Sequence, residues 1–134
     1  MTPTSMTPAP GTRVVHRRYV AHSEAHYAGN LVDGAYGLAL FGDVATEMCI
    51  LTDGDEGLFA AYSAVEFHAP VRAGDVVEVT AELVRVGTRS RELAFTLAVV
   101  ARGCPADDQP GRAALLDPVL IATTARGTVV VPPR

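Results

Sequence analysis

The apolar residues of this chain are spaced in two different ways, and the change between them divides the sequence. From Asp33 to about Leu51 there is no proline, and apolar residues recur every three or four positions, the spacing of a helix. Those residues are Ala35, Leu38, Ala39, Phe41, Val44, Ala45, Met48 and Cys49. Asp33 is a suitable N-cap, because its short carboxylate can accept a hydrogen bond from the first turn. The pattern predicts one long helix over residues 33–51.

Beyond the helix the period becomes two, which predicts strands. Residues 58–68 form the first of them, residues 86–90 a hairpin turn, and residues 119–131 the last strand, after a polar excursion over residues 103–118. The strands on either side of the hairpin turn alternate most clearly, with apolar residues at Val77, Val79, Ala81 and Leu83, and at Leu93, Phe95, Leu97 and Val99. Such strands are antiparallel and have one buried face.

Another strand is predicted before the helix, at residues 13–20, and a polar loop follows it at residues 21–32. An antiparallel sheet covers a single apolar helix only if the sheet curves around it. We therefore expect an α+β protein with a hot-dog fold, in which a curved antiparallel sheet wraps around one long central helix. Its edge strands are free to pair with another subunit, which predicts a homodimer or a higher homo-oligomer.

The composition fits one globular domain. The chain has 134 residues, of which 49% are hydrophobic and 19% charged, enough for one core. We expect a disordered leader rich in Thr and Pro at residues 1–11 and a single domain over residues 12–134. The formal charge of −4 comes from mixed acidic and basic residues, which argues against nucleic acid as a partner. No signal-like segment or apolar run of about 18 residues occurs, which predicts a cytoplasmic protein that does not contact a membrane.

The familiar cofactor and metal motifs are missing from the sequence. It has no Gly-x-Ser-x-Gly, no phosphate-binding glycine loop and no dinucleotide fingerprint. Cys49 and Cys104 have no second Cys or His at metal spacing, and the acidic segment at residues 53–57 lacks the ligands of a calcium loop. We therefore expect reduced cysteines, an acidic turn, no metal and no cofactor.

The loop that leads into the helix carries candidate chemistry. Its catalytic candidates are His26, Asn30 and Asp33, and its substrate-binding candidates are Tyr27, Gly29 and Gly34. The histidine can act as a general acid or base near neutral pH, or it can merely hydrogen-bond the loop. The N–H groups of a helix N-terminus suit a thioester carbonyl, because reactions at the acyl group or its α carbon build negative charge on that oxygen. The two glycines would let the backbone approach closely.

Asp43 and Glu47 lie one turn apart on the same face of the predicted helix. Either can be a general base, and the alternative is an acidic stripe that faces solvent. Asp33 and Glu47 are 14 positions apart, roughly 21 Å along a helix, so they cannot serve one reacting atom within one subunit. A shared site would combine residues of two chains.

Arg72 and Arg89 are candidate contacts for a phosphate of coenzyme A or phosphopantetheine, and Ser90 follows Arg89 in the hairpin turn as a further substrate-binding candidate. The alternative for a lone arginine is simple exposure to solvent. Residues 65–75 contain a strand end, a proline break and a Gly-Asp turn, and turn chemistry alone explains them.

These segments resemble a known family. Residues 26–35 read His-Tyr-Ala-Gly-Asn-Leu-Val-Asp-Gly-Ala and residues 40–47 read Leu-Phe-Gly-Asp-Val-Ala-Thr-Glu, which is similar to hot-dog proteins of the 3-aminobutyryl-CoA ammonia-lyase type. The similarity covers most of residues 20–100. The turn at residues 87–90, Gly-Thr-Arg-Ser, is also similar to that of acyl-CoA thioesterases with this fold.

The resemblance implies chemistry at the β carbon of an acyl thioester. An amine such as ammonia or glycine would add to an enoyl thioester of coenzyme A or acyl carrier protein, or leave a 3-aminoacyl thioester, in β-amino acid or antibiotic biosynthesis. One of His26, Asp43 and Glu47 would move the proton. The thioesterases imply an alternative, hydrolysis, in which a helix aspartate activates water, and Asp43 falls about two residues after the place that their spacing gives. A non-enzymatic subunit that binds acyl carriers is a third hypothesis.

Overall fold

The computed structural model describes residues 4–133. In these residues, one long helix packs against a five-stranded sheet. The elements in chain order are β1 (Arg13–Tyr19), β2 (Ala25–Tyr27), β3 (Leu31–Val32), α1 (Gly34–Asp53), β4 (Leu58–Phe67), β5 (Val76–Val86), β6 (Ser90–Gly103) and β7 (Ala113–Val130). The main sheet has the order β1-β5-β6-β7-β4 and is antiparallel throughout, and β2 and β3 form a separate ribbon. This is the α+β arrangement that the sequence predicts.

Helix α1 begins where it is predicted and ends slightly later. The Asp33 carboxylate accepts a hydrogen bond from the Tyr36 N–H at 3.0 Å, which confirms the N-cap. Gly54, in the left-handed region with a φ of 66°, ends the helix after Asp53 rather than near the predicted Leu51. The buried face consists of Gly37, Leu40, Phe41, Val44, Ala45, Met48, Cys49 and Thr52.

Two of the apolar residues that predicted the helix lie outside the core. Ala35 and Ala39 are exposed, because they lie at four-residue spacing from Asp43 and share its face of α1. Phe41, in contrast, is fully buried and stacks on Phe95 with the ring centroids 5.0 Å apart. By length and composition α1 could also cross a membrane, but its apolar face packs within this core.

The alternation predicted for β5 and β6 is confirmed. All eight apolar residues that define it are at most 1% exposed, and they cover α1. The hairpin turn between these strands is also confirmed, since the Gly87 N–H donates to the Ser90 carbonyl at 2.8 Å. The main sheet has two outer strands, β1 and β4.

The polar excursion after β6 is shorter than the sequence predicts. β6 continues to Gly103 and β7 begins at Ala113, so the connection is residues 104–112. The predicted excursion extends to Pro118, a residue that cannot donate a hydrogen bond to a ladder. In the structure the register shifts at this point and residues 116–119 bulge out of the ladder, which accommodates the proline.

Part of the predicted leader lies against the domain. The Met6 N–H donates to the Leu51 carbonyl at 2.7 Å, and the Gly11 N–H donates to the Leu83 carbonyl at 2.8 Å. Residues 1–3 lie outside the described residues. The division into a leader and a domain stays a prediction.

Candidate active site

A cleft of about 380 Å³ opens at the N-terminus of α1. It is formed by the start of α1, the end of β4 and the segment that follows β4, and it is lined by Val32, Asp33, Gly34, Tyr36, Gly37, Phe67, His68, Ala69, Pro70, Val71, Leu97 and Thr123. Most of these side chains are apolar, and only a few polar groups converge on the space. This is the usual character of a site for a small organic group.

The helix amides at this cleft are only partly used by the protein. Asp33 takes the Tyr36 N–H. Gly34 lines the cleft, and within residues 4–133 its N–H group has no acceptor. The positive end of the helix dipole lies at the same place. A thioester oxygen in the cleft can therefore receive hydrogen bonds as its negative charge develops.

The ring of Phe67 leaves little room for a Cβ at position 34, so this position favours glycine. A Cβ at this position would lie 2.6 Å from Cε1 and 2.9 Å from Cζ of Phe67, whose side chain is 59% exposed. The sequence assigns Gly34 to close approach between backbone and substrate, whereas its close neighbour in the structure is this ring. The glycine lets the ring lie against the helix terminus and form one wall of the cleft.

Tyr36 and His68 also line the cleft, and neither is among the predicted site residues. Burial raises the pKa of the Tyr36 phenol, Glu24 raises it further, and Arg18 opposes the change. The phenol therefore stays protonated and can donate a hydrogen bond. His68 Nε2 lies 2.8 Å from Thr124 Oγ1. The position of Tyr36 in the first turn after the N-cap was the signal that could have found it.

The predicted loop residues divide between two places. His26 Nδ1 lies 3.9 Å from Asp33 Oδ2, and the rings of His26 and Tyr27 meet edge to face with centroids 4.6 Å apart. Neither side chain lines the first cleft, and His26 approaches it only through Asp33, which does. Gly29 and Asn30 have left-handed φ values of 76° and 60° and line a second, neighbouring cleft together with Arg72.

Asp43 and Glu47 lie on the exposed face of α1. They follow Asp33 by 10 and 14 positions, which is roughly 15 and 21 Å of helix, so neither reaches the cleft of its own subunit. Glu47 Oε1 is instead 2.9 Å from Nε2 of His16 on β1, a contact that the sequence does not reveal.

The environment of His16 indicates which nitrogen carries its proton. Its Nδ1 is buried and has no hydrogen-bond partner within residues 4–133. An N–H buried without an acceptor is costly, so the favoured tautomer carries its proton on Nε2. His16 then donates to Glu47 and holds this carboxylate in one orientation.

Arg89 and Ser90 lie near the opposite end of α1. Arg89 Nε donates to the Val131 carbonyl at 3.1 Å, and the neighbouring Arg91 forms a buried ion pair, 2.7 Å long, with Asp53 at the last residue of α1. A helix of 20 residues is about 30 Å long. Within one subunit, Arg89 and Ser90 therefore lie too far from the cleft to contact a substrate there. Their predicted substrate-binding role needs a second subunit.

Comparison with known proteins agrees with this geometry. Residues 29–97 match the thioesterase superfamily. The chain is 47% identical over 121 residues to the 3-aminobutyryl-CoA ammonia lyase of Acetoanaerobium sticklandii, covering 89% of this chain and 93% of that protein. The structure is similar to that of the β-alanyl-CoA:ammonia lyase from Clostridium propionicum, with a TM-score of 0.86, 36% identity and coverage of 92% and 87% of the two chains.

An acyl-CoA hydrolase from Staphylococcus aureus is also similar in structure, with a TM-score of 0.69, 18% identity and coverage of 89% of this chain and 62% of that chain. At this identity the likeness shows the fold alone. Together these similarities confirm the predicted hot-dog fold and the predicted family. The chain belongs to the thioesterase superfamily and, within it, to the family of the 3-aminobutyryl-CoA ammonia lyase.

Proposed function

We propose that the chain is a carbon-nitrogen lyase that adds an amine to the β carbon of a short enoyl thioester, or eliminates it from the 3-aminoacyl thioester. The observation that carries this proposal is the small, mostly apolar cleft at the N-terminus of α1, where the Gly34 N–H has no acceptor within residues 4–133. The 47% identity to a 3-aminobutyryl-CoA ammonia lyase supports it.

The Gly34 amide acts on the charge that the reaction creates. When the amine nitrogen forms its bond to the β carbon, the π electrons move onto the α carbon and the thioester oxygen, which gives an enolate. A hydrogen bond from the Gly34 N–H and the helix dipole stabilise that oxygen, and one such donor typically accounts for about 10²- to 10³-fold in kcat. The enolate then takes a proton at the α carbon, and the nitrogen loses one.

His26 is the candidate for this proton transfer within the same subunit. It stands beside Asp33 at the cleft, and a neutral imidazole can accept the proton from nitrogen and return it to the α carbon. Tyr27 and Asn30 can hold polar parts of the substrate. Asp43 and Glu47 remain candidates only if another subunit brings their helix face to the cleft.

A homodimer or larger assembly could bring Asp43 and Glu47 of one subunit to the cleft of another. The outer strand β4 carries exposed apolar side chains, with Leu58 74% exposed and Phe67 59% exposed, and such an edge commonly pairs with another chain. In the same proposal the enzyme is cytoplasmic, uses no cofactor beyond its thioester substrate, and takes ammonia. Glycine as the amine, acyl carrier protein as the carrier and a place in antibiotic biosynthesis are the finer alternatives.

Hydrolysis is the competing activity in this superfamily. A water molecule would then attack the carbonyl carbon that sits near the same amide, and Asp43 of another subunit would activate it. The non-enzymatic hypothesis gains weight if Asp43 and Glu47 face solvent in the assembled protein, and within one subunit both are exposed. The ammonia-lyase relatives favour the enzyme.

The elimination direction gives a direct test. Incubation of the protein with 3-aminobutyryl-CoA should produce the conjugated enoyl thioester, followed by its ultraviolet absorbance, together with free ammonia. Release of a free thiol without formation of the enoyl thioester would instead show hydrolysis. The same substrate without protein is the control.

A further inference from the structure

One row of side chains in the main sheet faces the first turns of α1. Phe67 of β4 is the direct cross-strand partner of Thr123 of β7, and Thr123 is in turn the partner of Leu97 of β6. Directly paired residues project from the same face of a sheet. Adjacent strands lie about 5 Å apart, so the three residues form a row about 10 Å long with Thr123 at its centre. All three line the cleft at the N-terminus of α1.

The helix meets both ends of this row at glycines. A Cβ at Gly34 would lie 2.6 Å from Phe67 Cε1. One helical turn later, a Cβ at Gly37 would lie 3.2 Å from Leu97 Cδ1. Thr123 lies between these two contacts and is shorter than either neighbour in its row. The space above its side chain is therefore part of the cleft.

The Thr123 hydroxyl has no hydrogen-bond partner among residues 4–133, although the residue is only 5% exposed. The oxygen is not enclosed by protein, because the only fully buried side-chain nitrogen or oxygen without a partner in that range is His16 Nδ1. It is therefore reached from the cleft that Thr123 lines. A polar atom in apolar surroundings costs free energy unless something binds it. The position of this hydroxyl thus indicates a polar group of a ligand.

The acyl part of the proposed substrate has one polar group that suits this hydroxyl. The Gly34 N–H donates to the thioester oxygen, and beyond the thioester the acyl chain is hydrocarbon except for the nitrogen on the β carbon. A threonine oxygen can accept a hydrogen bond from an N–H group. An amine that donates one N–H to this oxygen keeps its lone pair free to attack the β carbon. In the elimination direction, the departing amine donates in the same way.

We propose that Thr123 Oγ1 binds the amine nitrogen and directs its lone pair at the β carbon of the enoyl thioester. This inference rests on the proposed function and names the residue of the same cleft that recognises nitrogen. Thr123 binds the nitrogen and takes no proton from it, so the proton transfer is left to a general base such as His26.

Two unreactive ligands that differ only in the amino group test this role without turnover. S-(3-aminobutyl)-coenzyme A and S-butyl-coenzyme A both lack the carbonyl, so neither can form an enolate. Titration calorimetry gives the ratio of their dissociation constants. We expect Thr123→Val, which keeps the shape of the side chain, to lower the preference for the amino ligand about 10-fold, as for the loss of a hydrogen bond to a charged group. Thr123→Ser, which keeps the hydroxyl, should retain the preference.

The matched control is Thr80→Val, the same change at a half-buried threonine of β5 that lines no part of this cleft. It should keep the preference of the parent. A parent that does not prefer the amino ligand, or a preference that is equal in the parent and in Thr123→Val, would overturn the proposal.

Kinetics of the addition direction separate a binding role from a structural one. Thr123→Val should raise KM for ammonium about 10-fold and leave KM for 2-butenoyl-CoA unchanged, and Thr123→Ser should restore the parental KM for ammonium. Its Tm should not fall, because the lost hydroxyl has no partner among residues 4–133. An equal rise in both KM values would contradict the role of Thr123. If the parent forms no amine adduct, the proposed function fails, while the ligand pair still decides whether Thr123 binds nitrogen.

Discussion

Phe67 and Gly34 are 33 positions apart in sequence, yet a single added carbon would bring them into collision, because a Cβ at Gly34 would lie 2.6 Å from Phe67 Cε1. The end of β4 and the start of α1 thus meet at the cleft, and the glycine sets the position of the wall. The shape of the cleft depends on this contact.

Gly34→Ala should therefore damage activity more than stability. The φ of Gly34 is not in the left-handed region, so alanine fits the backbone, and the half-exposed ring of Phe67 can move aside. The move narrows the cleft, and we expect kcat/KM to fall about 10-fold or more, with little change in Tm.

Gly42→Ala is the matched control for that experiment. An added Cβ at Gly42 meets nothing within 4 Å, and replacing glycine inside a helix stabilises it by about 0.5–1 kcal/mol. Tm should rise by a few degrees and kcat/KM should stay at the parental value. Equal activity of the two alanine variants would show that the wall formed by Phe67 does not matter.

His26→Gln tests the proton-transfer step. Loss of a general acid or base typically lowers kcat by about 10²- to 10⁴-fold. His68→Gln is the comparison, because His68 lines the cleft but is held by Thr124, and we expect it to change KM more than kcat. Steady-state kinetics of both variants decide the assignment. A larger decrease in kcat for His68→Gln than for His26→Gln would assign the proton transfer to His68 instead.

The contact between His16 and Glu47 predicts that His16→Leu lowers kcat more than His16→Gln does. His16→Leu removes the donor that orients Glu47, and we expect a several-fold decrease in kcat if the exposed helix face serves a cleft in the oligomer. His16→Gln retains a side-chain N–H and should restore most of it. Glu47 is 56% exposed, so the ion pair contributes less than about 1 kcal/mol to stability, and thermal melting of the two variants should match that of the parent. An unchanged kcat in His16→Leu would remove Glu47 from the mechanism.

Much of the fold follows from local sequence, but the site does so only in part. The apolar spacing and Asp33 predict α1 and its N-cap, and the alternation predicts β5 and β6. Contacts between distant segments carry no local signal. The pairing of His16 with Glu47 spans 31 positions, and it depends on which strand the sheet brings beside α1.

The same reason explains the distribution of the predicted site residues. Arg72 and Arg89 were both proposed as phosphate contacts from chemistry alone, since a sequence does not state that the hairpin turn lies beyond the far end of α1. The sequence equally did not show that Ala35 is exposed, because an alanine fits either face of a helix.

The two cysteines should react very differently with alkylating reagents. Burial raises the pKa of Cys49 to about 11, the charge of Asp53 adds to this effect, and Arg91 opposes it. At pH 8 only about one Cys49 thiol in a thousand is ionised, so it should resist iodoacetamide. Cys104, partly exposed in the connection between β6 and β7, should be labelled first. Mass spectrometry of digested protein checks the order, and denatured protein, in which both are labelled, is the control.

Cys49 also predicts a loss of stability at alkaline pH. Its pKa is about 11 in the folded chain against an ordinary value of 9.0, so ionisation favours the unfolded chain once the pH passes 9. The contribution is fully present below pH 9 and is lost as the pH rises to about 11. Denaturant unfolding of the parent and of Cys49→Ala across this range should show a smaller alkaline decrease in the variant. Parallel decreases in both proteins would contradict the assignment to Cys49.

The mass of the product formed from 2-butenoyl-CoA tests the central claim most directly. The protein is incubated with this thioester alone, with ammonium, and with glycine, and the products are analysed by mass spectrometry. The account predicts an intact coenzyme A thioester that is heavier by one ammonia, formed only when ammonium is present and more slowly with Gly34→Ala. Free butenoic acid and coenzyme A in all three mixtures, with no amine adduct, would contradict it and identify the protein as a thioesterase.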